Sequence, residues 1–425
     1  MPQPPRILFI APWLPKLSET FVYRELFGLR ESGVPVLGAS VHAPEQVWDE
    51  PRLHALAREV VPIYGSGPLR LLLDAAVESL GHPGFALRTG MTALGDAVRG
   101  RDISGLGRLK VLWQGLAGLA LARRLRKRGG MAHIHAHLAH VATTIAMYAA
   151  GQLGVGFSFT GHAADIFRDR SLLAEKLRRA GFVSCISRWH RDFYRTIVNR
   201  PDQEYPVIRC GVDVSEFAPS SEAHLEEPRP PLILAVGRLV PKKGFDLLLC
   251  ALAAVRSQGI ELSCRIVGDG PEREALHKLA ADLDLGDVLT FLGSRPNPEV
   301  REQLSQAAIF ALPCRTDASG DRDGIPVVLM EAMACGVCAI SGDLPTIREL
   351  IDHQENGFLV PPDDVPALVH CLEELLTDAD LRKTIATQGR LRIQEEFALD
   401  VNVGRLRKAL ERAGLRTGST DHGLH

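Results

Sequence analysis

What the chain lacks narrows it first. Charge of one sign is missing: 49 Lys and Arg stand against 51 Asp and Glu, a formal net charge of −2, which leaves no footprint for nucleic acid. A long hydrophobic run is missing too, because the longest apolar stretch, Val111 to Ala122, is broken by Gln114 and too short to span a bilayer. No disulfide framework is visible. The 8 cysteines fall at irregular spacings, several inside apolar segments such as Phe182-Val183-Ser184-Cys185-Ile186, which reads as buried thiols in a reducing compartment. The first residues lack a basic segment followed by an apolar core, so a cytoplasmic chain is expected. There is no G-x-x-x-x-G-K-[ST], which removes the P-loop NTPases. Gly268-Asp269-Gly270-Pro271-Glu272-Arg273 is half of a dinucleotide fingerprint without its third glycine, and it sits mid-domain, which argues against NAD.

What is present is an α/β pattern repeated twice. Arg6 to Ile10 is a short β run opening into the loop Ala11 to Thr20, followed by helical spacing from Phe21 to Ser32 and a strand from Val34 to Ser40. Residues 66–129 read as largely helical, ending in the basic run Arg123 to Arg128. Strands at 132–136, 157–160, 182–187 and 207–209 complete a first domain over 1–217. Residues 218–230 hold Pro, Ser and Glu with little periodicity, the composition of a linker. A second β–α series fills 231–390, with strands at 232–237, 262–268, 288–292, 309–313 and 337–340. A helix over 391–413 is expected to pack back on the first domain, before a flexible tail at 414–425. Two such halves bind ligands in loops at the carboxyl ends of their strands.

Two segments there carry chemistry. Asp323-Gly324-Ile325-Pro326-Val327-Val328-Leu329-Met330-Glu331 sets two acids eight positions apart, one in a loop and one in a helix that starts at Pro326. The free N–H groups of Gly324, Ile325 and Val327 suit a phosphate at the helix N-terminus. Glu331 has the apolar neighbours Val328, Leu329, Met333 and Ala334, so its carboxylate calls for hydrogen-bond donors such as ribose hydroxyls. The bland alternative is a solvated glutamate. The second segment, Val236-Gly237-Arg238-Leu239-Val240-Pro241-Lys242-Lys243-Gly244, delivers Arg238 and Lys243 after a strand, a pair suited to a diphosphate leaving group; its alternative is a solvated basic turn.

In this order and spacing the two segments resemble the retaining glycosyltransferases of family 4. That resemblance implies the GT-B fold, two Rossmann-like α/β/α domains facing each other across a cleft. Phe159-Thr160-Gly161-His162-Ala163-Ala164-Asp165-Ile166-Phe167 is similar to the family's histidine-bearing loop, and Pro206 to Asp213 to its Asn-Gly-Val-Asp segment, with Arg209-Cys210 where Pro-Asn is commoner. Val267-Gly268-Asp269-Gly270-Pro271 and Phe291-Leu292-Gly293 resemble further donor loops. The resemblance assigns the donor diphosphate to Arg238 and Lys243, the ribose to Glu331 and the sugar hydroxyls to Asp323, where glutamate is usual. Gly268, Gly293, Gly324, Ile325, Pro326 and Val327 would line the donor, and His162 would lie beside the sugar near the reacting carbon. Leu17-Ser18-Glu19-Thr20-Phe21 with Glu25-Leu26 resembles colanic-acid-type exopolysaccharide enzymes, placing Ser18, Glu19, Thr20 and His137 on the acceptor side. The resemblance thus implies transfer of a hexose, with retention, from a UDP- or GDP-sugar to a glycan or polyprenyl-linked oligosaccharide, with no metal and no cofactor. Rivals are an epimerase or hydrolase on the same fold and a non-catalytic nucleotide-sugar-binding protein.

Four other patterns have two readings each. Asp321-Arg322-Asp323 spells a metal-binding D-x-D, but Arg238 and Lys243 already offer positive charge and three-residue matches are common. His133, His135 and His137 alternate on one strand face with His140 beyond, a set read as cleft lining rather than zinc ligands. Cys335 and Cys338 have redox spacing but leave a helix instead of opening one, and are read as structural. The apolar residues of 66–122 with the run Arg123 to Arg128 suit either the inner face of an anionic membrane or an ordinary helix pair with a solvated basic end.

Overall fold

The apolar runs of the sequence become the central strands of two parallel sheets. In this computed structural model residues 6–16, 19–44, 50–100, 102–103, 105–162, 166, 170–219 and 230–414 are described. The chain divides into two units, Met1–Arg209 with Asn402–His425, and Cys210–Val401.

The first unit holds β1 (Ile7–Ala11), β2 (Val36–Ser40), β3 (Val61–Pro62), β4 (His133–His137), β5 (Gly156–Gly161) and β6 (Phe182–Cys185) in the order β3-β2-β1-β4-β5-β6. Its helices are α1 (Thr20–Glu31), α2 (Pro51–Glu59), α3 (Pro68–Gly81), α4 (Pro83–Arg99), α5 (Leu106–Arg126), α6 (Val141–Leu153), α7 (Leu173–Arg179) and α8 (Arg188–Ile197). Strand β1 is buried at every position, as a strand covered on both faces must be, and Ile7 pairs in register with Val36 on one side and His133 on the other. Strand order reverses between β1 and β4, so the loops after these two strands open at a topological switch point.

Residues 66–129 are three helices inserted between β3 and β4, with α5 packed on α3, α4 and α6. Part of the basic run is spent inside this packing. Arg124 donates to Asp74 at 2.8 Å and Arg126 to Glu78 at 3.0 Å, so these two cations are structural. No described helix is long and apolar enough to cross a membrane.

The second unit repeats the plan with β7 (Leu232–Val236), β8 (Ser263–Val267), β9 (Leu289–Gly293), β10 (Ile309–Leu312), β11 (Cys338–Gly342) and β12 (Phe358–Val360), ordered β12-β11-β10-β7-β8-β9. Around them lie α9 (Phe245–Ser257), α10 (Arg273–Asp282), α11 (Asn297–Gln306), α12 (Val327–Ala334), α13 (Val365–Thr377) and α14 (Ala379–Arg392). Its switch point lies between β7 and β10, which are paired. Both charged segments singled out in the sequence follow these two strands.

Several boundaries differ from the sequence reading. Residues 210–217 belong to the second unit, because the Val212 N–H donates to the Phe397 carbonyl at 2.9 Å and Phe217 is buried in that unit's core. Residues 207–209 form only an isolated bridge, Cys185 with Val207, and not a strand. The helical region at 391–413 is the end of α14, a π-helical turn at Ile393–Phe397 and α15 (Leu399–Arg412). From Asn402 onward α15 groups with the first unit, where Asn402 Oδ1 accepts the Arg209 N–H at 2.9 Å. Pro326 is the N-cap of α12 rather than its first residue. Residues 220–229 of the linker, the tail from 415 and Ser18 lie outside the described residues.

Candidate active site

In the second unit the loops after β7 and β10 are stitched together by their own backbone and side chains. Gly244 takes φ +69°, and a Cβ there would lie 2.2 Å from the Pro313 carbonyl oxygen, so only glycine lets the two loops meet. The Arg315 N–H donates to the Lys242 carbonyl at 2.9 Å, and its guanidinium binds the Pro241 carbonyl and Asp246. The turn Pro241–Lys243 is therefore fixed from the β10 side.

This brings two lysines onto two carboxylates. Lys243 Nζ lies 2.7 Å from Asp323 Oδ2, while Lys242 Nζ lies 3.3 Å from Asp323 Oδ1 and 3.3 Å from Asp321 Oδ2. Lys243 and Asp323 each keep 13% of their side-chain exposure. Burial works against the Asp323 charge, but the two ammonium groups outweigh it and hold its carboxyl below the usual range. Burial likewise opposes the Lys243 charge and Asp323 overcomes it, raising the lysine. The Cys314 thiol donates to Asp323 at 3.5 Å, and burial with that neighbouring carboxylate pushes it up to about 12. Cys314 is an inert packing group here, not a nucleophile.

Asp323 and Gly324 then lead into α12. Thr346 Oγ1 donates to both their carbonyls, at 3.2 and 2.9 Å, which fixes the loop that presents the helix. No side chain caps α12, so its first N–H groups stay available to an anion. Glu331 is 6% exposed in the second turn of this helix, flanked by the buried Met330 and Ala332. Arg238 stands apart: it is exposed and has no ion pair among the described residues. Gly268 has a backbone role. Its N–H donates to the Gly293 carbonyl at 2.9 Å, and a Cβ would fall 1.9 Å from the Gly237 carbonyl oxygen.

In the first unit the histidines of β4 form a ladder with β5. Ser158 Oγ lies 2.7 Å from His133 Nε2 and 2.8 Å from His135 Nδ1, and His135 Nε2 lies 3.0 Å from Thr160 Oγ1. Burial lowers His133 to about 4 and His135 well below its usual value, so both are neutral. At the switch-point end His137 reaches His162, Nδ1 to Nε2 at 3.5 Å, and its Nε2 lies 3.1 Å from Glu25 of α1. Phe21 packs on His162 with ring centroids 4.3 Å apart. Burial first, then the histidines around it, hold His162 far below its ordinary value. Its carbonyl accepts from His190 Nε2 at 2.6 Å, and His190 Nδ1 lies 2.6 Å from Ser187, the N-cap of α8.

His137 and His162 are thus brought together, as are Lys243 and Asp323. Glu19 is not joined to His137: it stands at the N-cap position of α1 without a side-chain capping bond and pairs with Lys16 at 2.7 Å, while Thr20 is buried as the helix's first residue. Asp321 and Asp323 do turn toward one point, as a D-x-D would, and Lys242 sits at it. Sequence reasoning gave Lys242 and His190 no place, and named Glu25 only as part of a resemblance without pairing it to His137. Lys242 had a signal, since either of two adjacent lysines could face the loop; His190 had none.

Residues 217–392 match the sequence model of the family described as Glycosyl transferases group 1. The chain carries a glycosyl transferases group 1 domain. It includes the whole lysine–carboxylate set and Glu331, and excludes the histidines of the first unit. Among curated relatives, WcaL of Salmonella typhimurium, named for colanic acid biosynthesis, is 36% identical over 199 residues, 46% of this chain and 48% of that protein. The amylovoran biosynthesis glycosyltransferase AmsK of Erwinia amylovora is 35% identical over 213 residues, 50% and 52% of the two chains. A GDP-mannose-dependent phosphatidylinositol monomannoside mannosyltransferase of Mycobacterium tuberculosis is 31% identical over 241 residues, 54% and 62%. The match spans about half the length of the first of these relatives. The fold extends further. Anabaena HepE, solved with UDP, superposes with a TM-score of 0.71 at 17% identity over 96% of this chain and 100% of its own. The sucrose-phosphate synthase of Thermosynechococcus elongatus gives 0.70 at 19%, over 96% and 100%. The two Rossmann-like domains expected of a GT-B protein are therefore the fold of this chain.

Proposed function

We propose that the protein is a retaining, metal-independent glycosyltransferase that moves a hexose from a UDP- or GDP-sugar to a glycan or polyprenyl-linked oligosaccharide. The carrying observation is the two-lysine, two-carboxylate set at the switch point of the group 1 domain, beside the uncapped N-terminus of α12. An ammonium has three donors, so Lys243 can keep Asp323 and still bind a diphosphate. Arg238 supplies the second cation and Glu331 accepts from ribose hydroxyls. When the bond from anomeric carbon to phosphate oxygen breaks, negative charge grows on the leaving diphosphate, and these groups stabilise it without reorganising. The acceptor oxygen then bonds to the carbon on the same face and gives its proton to the leaving phosphate. His162, held neutral by burial, serves as a hydrogen-bonding group to the transferred sugar rather than as a charge. Asp323 keeps the lysines in place as well as facing the sugar. Lys242 already stands between Asp321 and Asp323, where a divalent ion would otherwise be needed.

The names of AmsK and WcaL support a role in exopolysaccharide or capsule assembly, and that of the mycobacterial relative supports a lipid-borne acceptor. The test is a panel of UDP- and GDP-sugars with EDTA present, following released nucleotide with and without a membrane lipid extract. Lipid-dependent release that survives EDTA supports the proposal and names the donor. Release matched by free sugar without any acceptor makes the protein a hydrolase, and loss of release in EDTA overturns the metal-free mechanism.

A further inference from the structure

Among the described residues, thirteen of the fourteen exposed large hydrophobic side chains lie on α3, α4 and α5, so the apolar surface is concentrated on one inserted substructure. On α3 they follow helical spacing, Leu69, Leu73, Val77 and Leu80, the last 83% exposed. On α4 the stripe is Leu87, Met91, Leu94 and Val98. The start of α5 adds Leu106, at 75%, and Leu109. The opposite faces of the same helices supply the core through Leu71, Ala75, Ala93, Ala97 and Val111, so the exposed rows are a second apolar face.

The charges on these helices are sorted by sign. Arg70, Arg88, Arg99, Arg108 and Lys110 are exposed and have no ion pair among the described residues. The acids are turned inward and held: Asp74 by Arg124, Glu78 by Arg126 and Asp96 by Arg179. Asp102 alone among the described residues of this stretch is an exposed acid. Arg88 and Arg99 open, with Leu87 and Met91, onto a groove of about 1000 Å³ between α4 and α7. Asp102 and Glu175 also line it, Glu175 being held by Arg179 at 3.2 Å.

We infer that the outward faces of α3, α4 and the start of α5 dock the protein on an anionic lipid bilayer, with leucines entering the interface and Arg70, Arg88, Arg99, Arg108 and Lys110 meeting lipid phosphates. Apolar rows interleaved with unpaired cations match a surface that is both oily and negative. A second copy of this chain fits worse, because a symmetric contact would set the same cations against one another. Within the basic run Arg123 to Arg128, Arg124 and Arg126 are committed to Asp74 and Glu78 and are not part of the contact. The docking serves the lipid-borne acceptor proposed above and rests on it for its purpose, but not for its test.

The experiment is flotation of the full chain with vesicles of phosphatidylcholine alone and of equal parts phosphatidylcholine and phosphatidylglycerol, without donor. The protein should float with the anionic vesicles only, less so in high salt. Replacing Leu73→Glu and Leu87→Glu together should lower partitioning by about ten-fold or more, from lost apolar insertion. Replacing Arg88→Glu and Arg99→Glu together should lower it by roughly 25-fold, at about five-fold per cation lost. All four positions are exposed, so unchanged circular-dichroism melting confirms folding. Equal binding to both vesicles, undiminished binding of either variant, or a wild-type dimer that the leucine variant dissociates would overturn the inference. Nucleotide release measured in detergent reports the transferase proposal separately.

Discussion

Replacing Asp323 by Asn tests the centre of the candidate site through stability alone. The change keeps the shape, removes the charge, and leaves Lys243 buried beside a neutral amide, while Lys242 retains Asp321 at 3.3 Å. Breaking one side of a buried pair costs about 3–5 kcal/mol. Because Lys242 keeps a partner, the lower end, about 3 kcal/mol, is expected. For a unit of this size that lowers the transition by roughly 6–12 °C. The readout is built in, since all four tryptophans, Trp13, Trp48, Trp113 and Trp189, precede residue 210. Far-UV circular dichroism reports both units and tryptophan emission only the first. The pH dependence follows from the direction of each shift. The lowered Asp323 contributes stability that is fully present above its unfolded value, near 3.8, and is lost as pH falls through the lower folded value. The raised Lys243 contributes stability present below 10.5 and lost as pH rises through its higher folded value. Asp323→Asn removes the acid dependence and takes from Lys243 the partner that raises it, so burial then opposes the lysine's charge. Adding Lys243→Met should recover much of the loss, because the penalty of the single variant is the unpaired buried ammonium, which is then gone. An unchanged dichroism transition in Asp323→Asn, or a double variant weaker than the single one, would refute this account of the clamp.

Other outcomes follow from features of each unit. His133, neutral in the fold with its pKa at about 4, contributes stability present above its unfolded 6.5 and lost as pH falls toward 4. His133→Phe should flatten the acid limb of the tryptophan-detected transition, and an unchanged limb would discount the burial of that ring. Ser187→Ala removes the cap of α8 and a partner of His190, and should destabilise the first unit by about 1–2 kcal/mol, read by urea titration. His190→Phe should lower turnover more than stability if its bond to the His162 carbonyl positions that loop; equal losses in both would reduce His190 to packing. Gly268→Ala forces the Gly237 and Gly268 strand ends apart and should weaken donor binding, measured by calorimetry with UDP and GDP; unchanged binding would separate that contact from the site.

The strands were legible in the sequence because a parallel strand covered on both faces is an apolar run, as Ile-Leu-Phe-Ile-Ala and Leu-Ile-Leu-Ala-Val are. Helix α8 was passed over although Trp189, Phe193, Tyr194 and Ile197 recur at helical spacing behind the cap Ser187, because interleaved arginines and short length masked that stripe. Helix α14 hides similarly, burying Arg382, Ile385, Ala386 and Gly389 among charges, although Asp378 at its cap was a usable signal. At the site, residue types and strand-end positions were readable. The pairing was not: Lys243 and Asp323 are 80 positions apart, and nothing local says which of two adjacent lysines turns inward. Cations beside a phosphate-binding helix read equally as ligands or as partners of a nearby acid, and only the fold decides between them.

The lysine–carboxylate clamp has a bearing on which anions the loop favours. Two ammonium groups and two carboxylates sum to zero, so the clamp itself projects little field toward small anions. A small anion therefore gains little from the clamp's charge alone. On the proposed function, a donor is favoured because its shape reaches Arg238, the α12 amides and Glu331 together, with the spare hydrogens of Lys243 adding to that hold. Selectivity then lies in the geometry of the whole ligand more than in net charge.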